Sequence, residues 1–579
     1  MPDHKSVYVV FKTHFDIGFT HLAGEVVARY GAGMLADVVR TCEGTRHLPA
    51  GHRFVWTMPT WPLTKSLDPA VAPEDTLDRA RALLKDGQIT WHALPFTTHT
   101  EFCGLEEYVR GLYRAAELDR EYGRRTVAAK MTDVPGHTWM LPAILAHAGV
   151  KFLHLGCNPG CMPPDVPRLF WWEAPDGSRV LTFYSKGGYG TSLLPPDDWR
   201  YPVWLAMMQT NDNVGPQDAQ VVEDMVRTVE ARRPGDVLVL GTMDDFYRAL
   251  LPYLGGEVPV VRRDLADSWI HGVATYPAEV ARLRALRGRL ADVESWGAGL
   301  AARGLLAAPA AAEIEARIAE GYQTALLFGE HTWGLDVKTT LGWRRAYEKA
   351  AFRESLNWPE TRRIEASWDE QRDRVRAVEA QIDGACRLLP VGDGDIAVYN
   401  GLGCPRDAWA DLTAWRDRAA RGVADGRDGS SLPLAETPEG LFARVRALPP
   451  LGGVALRLTP GAGANGGGVL CDSATGILEN RWVRVRVDRA MGGIASLVDK
   501  ASGREWVRPG EALGQYRYDV YGNAEITEFI RDYSYRFFDW LVNDLGRMGY
   551  PEIGHRMFVA RDFEMRASAG AHCASVELH

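Results

Sequence analysis

The chain has 579 residues, 46% of them hydrophobic, which exceeds what one core usually organises, so several domains are expected. A formal charge of -9 with Lys and Arg dispersed along the chain excludes the dense basic surface that nucleic acid or an anionic membrane selects. Met1-Pro2-Asp3-His4-Lys5 runs into an apolar segment with no signal-like stretch, and no window reaches the length of a membrane span. Eight scattered cysteines, Cys157 and Cys161 being the one close pair, read as free thiols, so a cytoplasmic protein is expected.

Val7-Tyr8-Val9-Val10-Phe11 reads as a buried strand, and His14 and Asp16 follow it two residues apart, a spacing that sends both side chains to one face at the strand's end. Strand-like runs then alternate with helical stretches to about residue 270. The strands are Phe54 to Thr57, Ile89 to His92, Phe152 to Leu155, Val180 to Tyr184 and Val237 to Leu240, with helices over Glu107 to Glu117 and Asp218 to Arg232 between them. This alternation predicts a mostly parallel sheet or barrel with helices outside, and ligands at the strands' C-terminal ends. Residues from about 277 to 385 have helical periodicity, broken at Phe328-Gly329-Glu330-His331-Thr332-Trp333-Gly334-Leu335, where glycines flank a histidine. After about 390, short alternating runs such as Ile396 to Asn400 and Trp482 to Asp488 predict antiparallel β structure.

Two further acids lie at turns. Asp133 precedes Pro135-Gly136, a pair that lets backbone approach a ligand, and Asp212 lies in the polar loop Asn211-Asp212-Asn213-Val214-Gly215-Pro216. His14, Asp16, Asp133 and His331 together form an N2O2 ligand set suited to Zn²⁺, with Co²⁺ or Mn²⁺ as alternatives. His99 and Glu101 are candidate ligand contacts, and Phe15, Trp61 and Trp333 offer aromatic faces of the kind that suits ring stacking. Each residue also has a plain reading: a turn for Asp133, a backbone-bonded histidine for His331, a solvated acid for Asp212, and core packing for each aromatic.

Taken in order, these stretches resemble glycoside hydrolase family 38, the α-mannosidases. The resemblance rests on His14-Phe15-Asp16, on Asp133-Val134-Pro135-Gly136-His137-Thr138 and on His331. It extends over Trp172 to Leu181, and over Leu478 to Val485 with Gly492 to Lys500. It implies a multidomain α/β fold: a seven-stranded (β/α) barrel-like catalytic domain over 1–275, a helical bundle over 276–388 that supplies a metal ligand, and a β-sandwich over 389–579, shortened or incomplete. It also implies a zinc-dependent retaining glycosidase with Asp133 as nucleophile and metal ligand, Asp212 as general acid, a carbohydrate substrate, and the homo-oligomerisation common in the family. Departures fall around the sugar: Ile17-Gly18-Phe19 stands where the family has Trp, and His331-Thr332 where it has His-Asp. Rival expectations are a metal-dependent amide or ester hydrolase, which Asp133→Asn and a fluorosugar trap would separate, and a carbohydrate-binding protein without catalysis.

Overall fold

The computed structural model describes residues 5–270, 275–342, 344, 348–419, 422–437, 439–460, 468–536, 550–569 and 572–579. These form two compact units. One comprises Met1–Arg287, Glu320–Glu379 and Thr527–Tyr550, and the other Gly288–Ala319, Ala380–Ile526 and Pro551–His579.

The first unit is built on β1 (Ser6–His14), whose Val7, Val9, Val10 and Phe11 are buried. Parallel partners flank it, which is why the run is apolar on both faces. Beside it lie β2 (Trp56–Met58), β3 (Ile89–Trp91), β8 (Val203–Asp212) and β9 (Val237–Leu240). The sheet order is β3-β2-β1-β8, with β9 pairing the first half of β1. A second sheet has the order β10-β6-β7-β5-β4, where β4 is Ala128–Met131, β5 Phe152–Gly156, β6 Leu169–Glu173, β7 Arg179–Ser185 and β10 Val260–Val261. β6 and β7 are antiparallel and joined through a turn at Gly177, whose φ of 83° suits glycine. Seven strands in a barrel-like ring were expected; ten described strands instead form two five-stranded sheets, with one core running through both. A backbone bond from Ala93 N to Ala128 O (2.9 Å) joins the end of β3 to β4.

Helix boundaries follow local chemistry. Asp218 caps the helix Ala219–Arg232 by accepting Val221 N at 3.0 Å. The single helix expected from Glu107 to Glu117 is two, Leu105–Gly111 and Tyr113–Tyr122, which meet at Leu112. Long helices cover Pro277–Ala302, Ala308–Phe328 and Pro359–Cys386, and the second stops at the expected Gly329 interruption. None of the described helices is long and apolar enough to cross a membrane.

In the second unit, β11 (Ile396–Asn400), β16 (Gly452–Leu458) and β13 (Val423–Asp425) form one antiparallel sheet. A second contains β12 (Arg406–Asp411), β15 (Gly440–Leu448) and β14 (Leu434–Thr437). They share a core that includes Ile396, Leu412, Val423, Leu441, Val445 and Leu456. A four-stranded ladder over 470–499 follows. The stretch read as all β also holds a helix, Asn523–Tyr533, and the described residues 527–536 and 550 group with the first unit.

Candidate metal centre and active site

Four side chains of the first unit converge at the C-terminal ends of β1 and β4. The His14 Nε2 lies 3.0 Å from Asp16 Oδ1, 3.1 Å from His331 Nε2 and 3.6 Å from Asp133 Oδ2. The His331 Nε2 in turn lies 3.2 Å from Asp16 Oδ1 and 3.1 Å from Asp133 Oδ2. A tetrahedron with metal–ligand bonds of about 2.0–2.1 Å has edges of about 3.3–3.4 Å, so the spacing matches a single Zn²⁺-sized centre. All four residues are buried, and Asp16 Oδ1 has no donor beyond the two imidazole Nε2 atoms at 3.0 and 3.2 Å, so where those nitrogens carry no proton it is an unsatisfied anion that a cation would satisfy. The residues present therefore fit a divalent metal.

Surrounding groups orient the set. The His14 Nδ1 meets Thr132 Oγ1 at 3.0 Å, and the His331 Nδ1 donates to Glu330 Oε1 at 2.6 Å, which leaves both Nε2 atoms facing inward. Glu330 is itself buried and accepts Thr332 N at 3.0 Å. Such outward bonds fix the tautomer and raise ligand basicity. Replacing Glu330 by Gln is expected to weaken zinc binding by about 10–100-fold, read by chelator competition. Asn213, itself in the left-handed region at φ 54°, clamps the Asp16 backbone, accepting Asp16 N at 3.2 Å and donating to Asp16 O at 3.0 Å.

Asp133 sits at φ 84°, a conformation that costs a non-glycine residue of order 1–3 kcal/mol and persists where surroundings impose it. Here Asn158 N donates to Asp133 O at 2.9 Å, and the Asn158 Nδ2 donates to Asp133 Oδ1 at 2.9 Å. The Tyr189 hydroxyl also donates to Oδ1. Gly136 permits the return path, because a Cβ there would meet Ala266 O at 2.1 Å. One Asp133 oxygen thus faces the ligand cluster while the other is held by two neutral donors.

The electrostatics demand positive charge at the centre. Burial disfavours the imidazolium of His14, but Asp16 and Asp133 overrule it and raise its pKa above the ordinary range. His331 is likewise raised, burial again being outweighed, here by Glu330, Asp133 and Asp16. Burial opposes ionisation of Asp133 and Asp16, and the two histidines nonetheless hold both carboxyls below the usual range. Asp212 behaves in the opposite way: burial first, then the negative charges of Asp16 and Asp133, push its carboxyl up to about 6. It emerges beside the His14, Asp16, Asp133 and His331 cluster because β8 pairs β1 with His14 opposite Asp212, after a register shift at Thr13/His14.

Asp133, Asp212 and His331 line one cavity of ≈ 690 Å³, together with Tyr189, Asn158 and Gln209. Trp333 borders it, as do Phe19 and Trp269, which sequence reasoning did not select. The other expected sugar contacts lie elsewhere. Phe15 is buried among Tyr30, Trp61 and Phe96, with ring centroids 5.4–6.5 Å apart, and Trp61 is half-buried in the same cluster. His99 is buried against Asp267 at 2.7 Å. Glu101 is largely exposed, and partial loss of solvent, then the neighbouring Asp264 and Asp267, push its carboxyl up to about 7. Tyr189, Asn158 and Glu330 were missed. Their signals were the glycine-rich run Gly187-Gly188-Tyr189-Gly190 and an acid directly before His331.

No protein-family model matches the sequence, and no curated protein matches it. Solved structures do. An α-mannosidase from Enterococcus faecalis V583 aligns at TM-score 0.66 and 13% identity, over 97% of this chain and 65% of that one. A protein in glycosyl hydrolase family 38 from Enterococcus faecalis aligns at TM-score 0.59 and 12% identity, over 98% of this chain and 64% of that one. The chain therefore has the fold of these two proteins and spans about two thirds of their length.

Proposed function

We propose that this chain is a divergent, α-mannosidase-like glycoside hydrolase of the family 38 type, which cleaves an α-glycosidic bond with retention through a covalent glycosyl–Asp133 intermediate. One observation carries it: Asp133 belongs to the four-residue ligand set and also lines the cavity that holds Asp212. The fold shared with the Enterococcus proteins supports the same class. The two sheets of the first unit would act together as a barrel-like layer with the site at its strand ends.

His14, Asp16, Asp133 and His331 would hold the metal, Zn²⁺ by donor type, which when bound supplies coordination to sugar hydroxyls that orients the ring and favours its distortion toward an oxocarbenium-like shape. Asp133 stays ionised at neutral pH, as a nucleophile must. Its Oδ1, fixed by Asn158 and Tyr189, would attack the anomeric carbon while Asp212 gives its proton to the leaving oxygen. Asp212 ionised in that step would then take a proton from the water that releases the sugar, restoring both carboxyls. Trp333, Trp269 and Phe19 offer apolar ring faces for the carbohydrate.

The pH profile tests the acid. A carboxyl with its pKa near 6 donates only below that value, so kcat/KM should fall about tenfold per pH unit above it. A bound cation shifts the fall to lower pH. Asp212→Asn should flatten this alkaline limb and lower turnover by about 10²–10⁴-fold on substrates with poor leaving groups, but far less on dinitrophenyl glycosides. An unchanged limb in the variant would remove Asp212 from the role. Hydrolysis of a panel of nitrophenyl α- and β-glycosides by zinc-loaded protein tests the class. Turnover of an α-glycoside supports it, and metal bound without turnover across the panel points to binding without catalysis.

A further inference from the structure

Lys130 is a buried amine for which the proposed reaction has no use. It lies on β4, three residues before Asp133, with 3% or less of its surface exposed, and no carboxylate lies within ion-pair distance of it among the described residues. Burial, and then the neighbouring Lys12, push its pKa well below the ordinary lysine value, and a buried amine still needs partners for its N–H groups. Its Nζ donates to Tyr189 O at 2.8 Å and meets His154 Nδ1 at 3.1 Å, while the His154 Nε2 meets Ser185 Oγ at 3.1 Å.

Tyr189 is thereby bonded at both ends, its carbonyl to Lys130 and its hydroxyl to Asp133 Oδ1. The strap that carries it is glycine-rich because it is squeezed between neighbours. A Cβ on Gly190 would meet Met207 O at 2.3 Å, and one on Gly156 would meet Gly188 O at 2.5 Å. Regular ladder hydrogen bonds are sparse here, with Cys157 bridging Gly188 and Thr191 N donating to Met207 O at 3.1 Å. A strap with three glycines among five residues has much conformational freedom to lose, so a fixed internal donor at its centre matters.

We infer that Lys130 is a positioning residue: by holding the Tyr189 carbonyl it keeps the Tyr189 hydroxyl on Asp133, and so sets the orientation of the carboxylate that completes the ligand set. The inference rests on Asp133 being a metal ligand, as proposed above. Acting through Tyr189, its effect must vanish once the Tyr189 hydroxyl is gone.

The test is a double-mutant cycle on the full chain, with zinc affinity from chelator competition as the readout. Lys130→Met and Tyr189→Phe should each weaken zinc about tenfold, and the double variant should also be about tenfold weaker. A Lys130→Met protein with wild-type affinity overturns the inference. So does a double variant about a hundredfold weaker, which would mark two independent effects. If Lys130→Met does not fold, His154→Gln, which disturbs the other partner of the Lys130 amine, runs in the same cycle with the same two outcomes. A wild type that binds no zinc overturns the metal centre itself and this inference with it. A wild type that binds zinc but cleaves no glycoside overturns the glycosidase proposal alone, and the cycle still decides Lys130.

Discussion

Asp133→Asn should lower α-glycoside turnover by about four orders of magnitude, because on the proposed mechanism the substitution removes the nucleophile and a metal ligand together. An amide is a poor nucleophile and a poor zinc ligand, and it cannot supply the charge that His14 and His331 face at 3.6 and 3.1 Å. Zinc content should fall in parallel, so turnover is to be compared with bound metal in the same samples. A fall in turnover that zinc content fully explains would leave Asp133 a ligand only. Loss of turnover at restored zinc occupancy would separate the nucleophile's role from the ligand's. Residual activity within tenfold of wild type would exclude Asp133 from the chemistry.

His331→Ala has the other large effect, and it is read without substrate. The imidazole stands 3.2 Å from Asp16 Oδ1 and 3.1 Å from Asp133 Oδ2, so its loss leaves two buried carboxylates against a single histidine. Removing one partner of a buried charge group typically costs about 3–5 kcal/mol. Metal removal from the wild type should act in the same direction, because a metal at 1,000 times its Kd stabilises the folded state by about 4 kcal/mol.

The metal-free protein should also have a narrow pH window, and the signs follow from the site. Asp16 and Asp133 are held below their ordinary range, so their contribution is present above the unfolded pKa of about 3.9 and is lost as pH falls through the folded values. His14 and His331 are raised, so their contribution is complete below about 6.5 and is lost as pH rises through the folded values. Thermal unfolding should therefore show greatest stability between about pH 4 and 6.5 in chelator, with the alkaline loss suppressed by zinc. An alkaline loss of the same size with zinc present would place the metal elsewhere.

The four-residue cluster was legible because each member carried a local mark. His14 and Asp16 follow an apolar run at strand spacing, Asp133 opens a Pro-Gly turn, and His331 interrupts a helical stretch between glycines. Those marks concern backbone shape, which neighbouring residues dictate. The aromatics that border the cavity carried none. Phe15 and Trp61 look the same in sequence whether they pack against Tyr30 and Phe96, as they do, or face a cavity, as Trp333 and Trp269 do. Tyr189 and Asn158 reach Asp133 from 56 and 25 residues away, across β5 and β7, so only the three-dimensional pairing of those strands brings them to it. The same limit explains the sheets. Alternation of strands and helices predicts parallel pairing, but whether the strands form one ring or two five-stranded sheets depends on edge contacts such as Ala93 to Ala128, which no local pattern encodes.

The most direct measurement is mass spectrometry of zinc-loaded protein after incubation with an activated α-configured fluoroglycoside of whichever sugar the panel shows to be turned over. A glycosyl adduct on the peptide that carries Asp133, absent from Asp133→Asn, is the expected result. Turnover of the parent α-glycoside with inversion of configuration, or an adduct on another carboxylate, would contradict it.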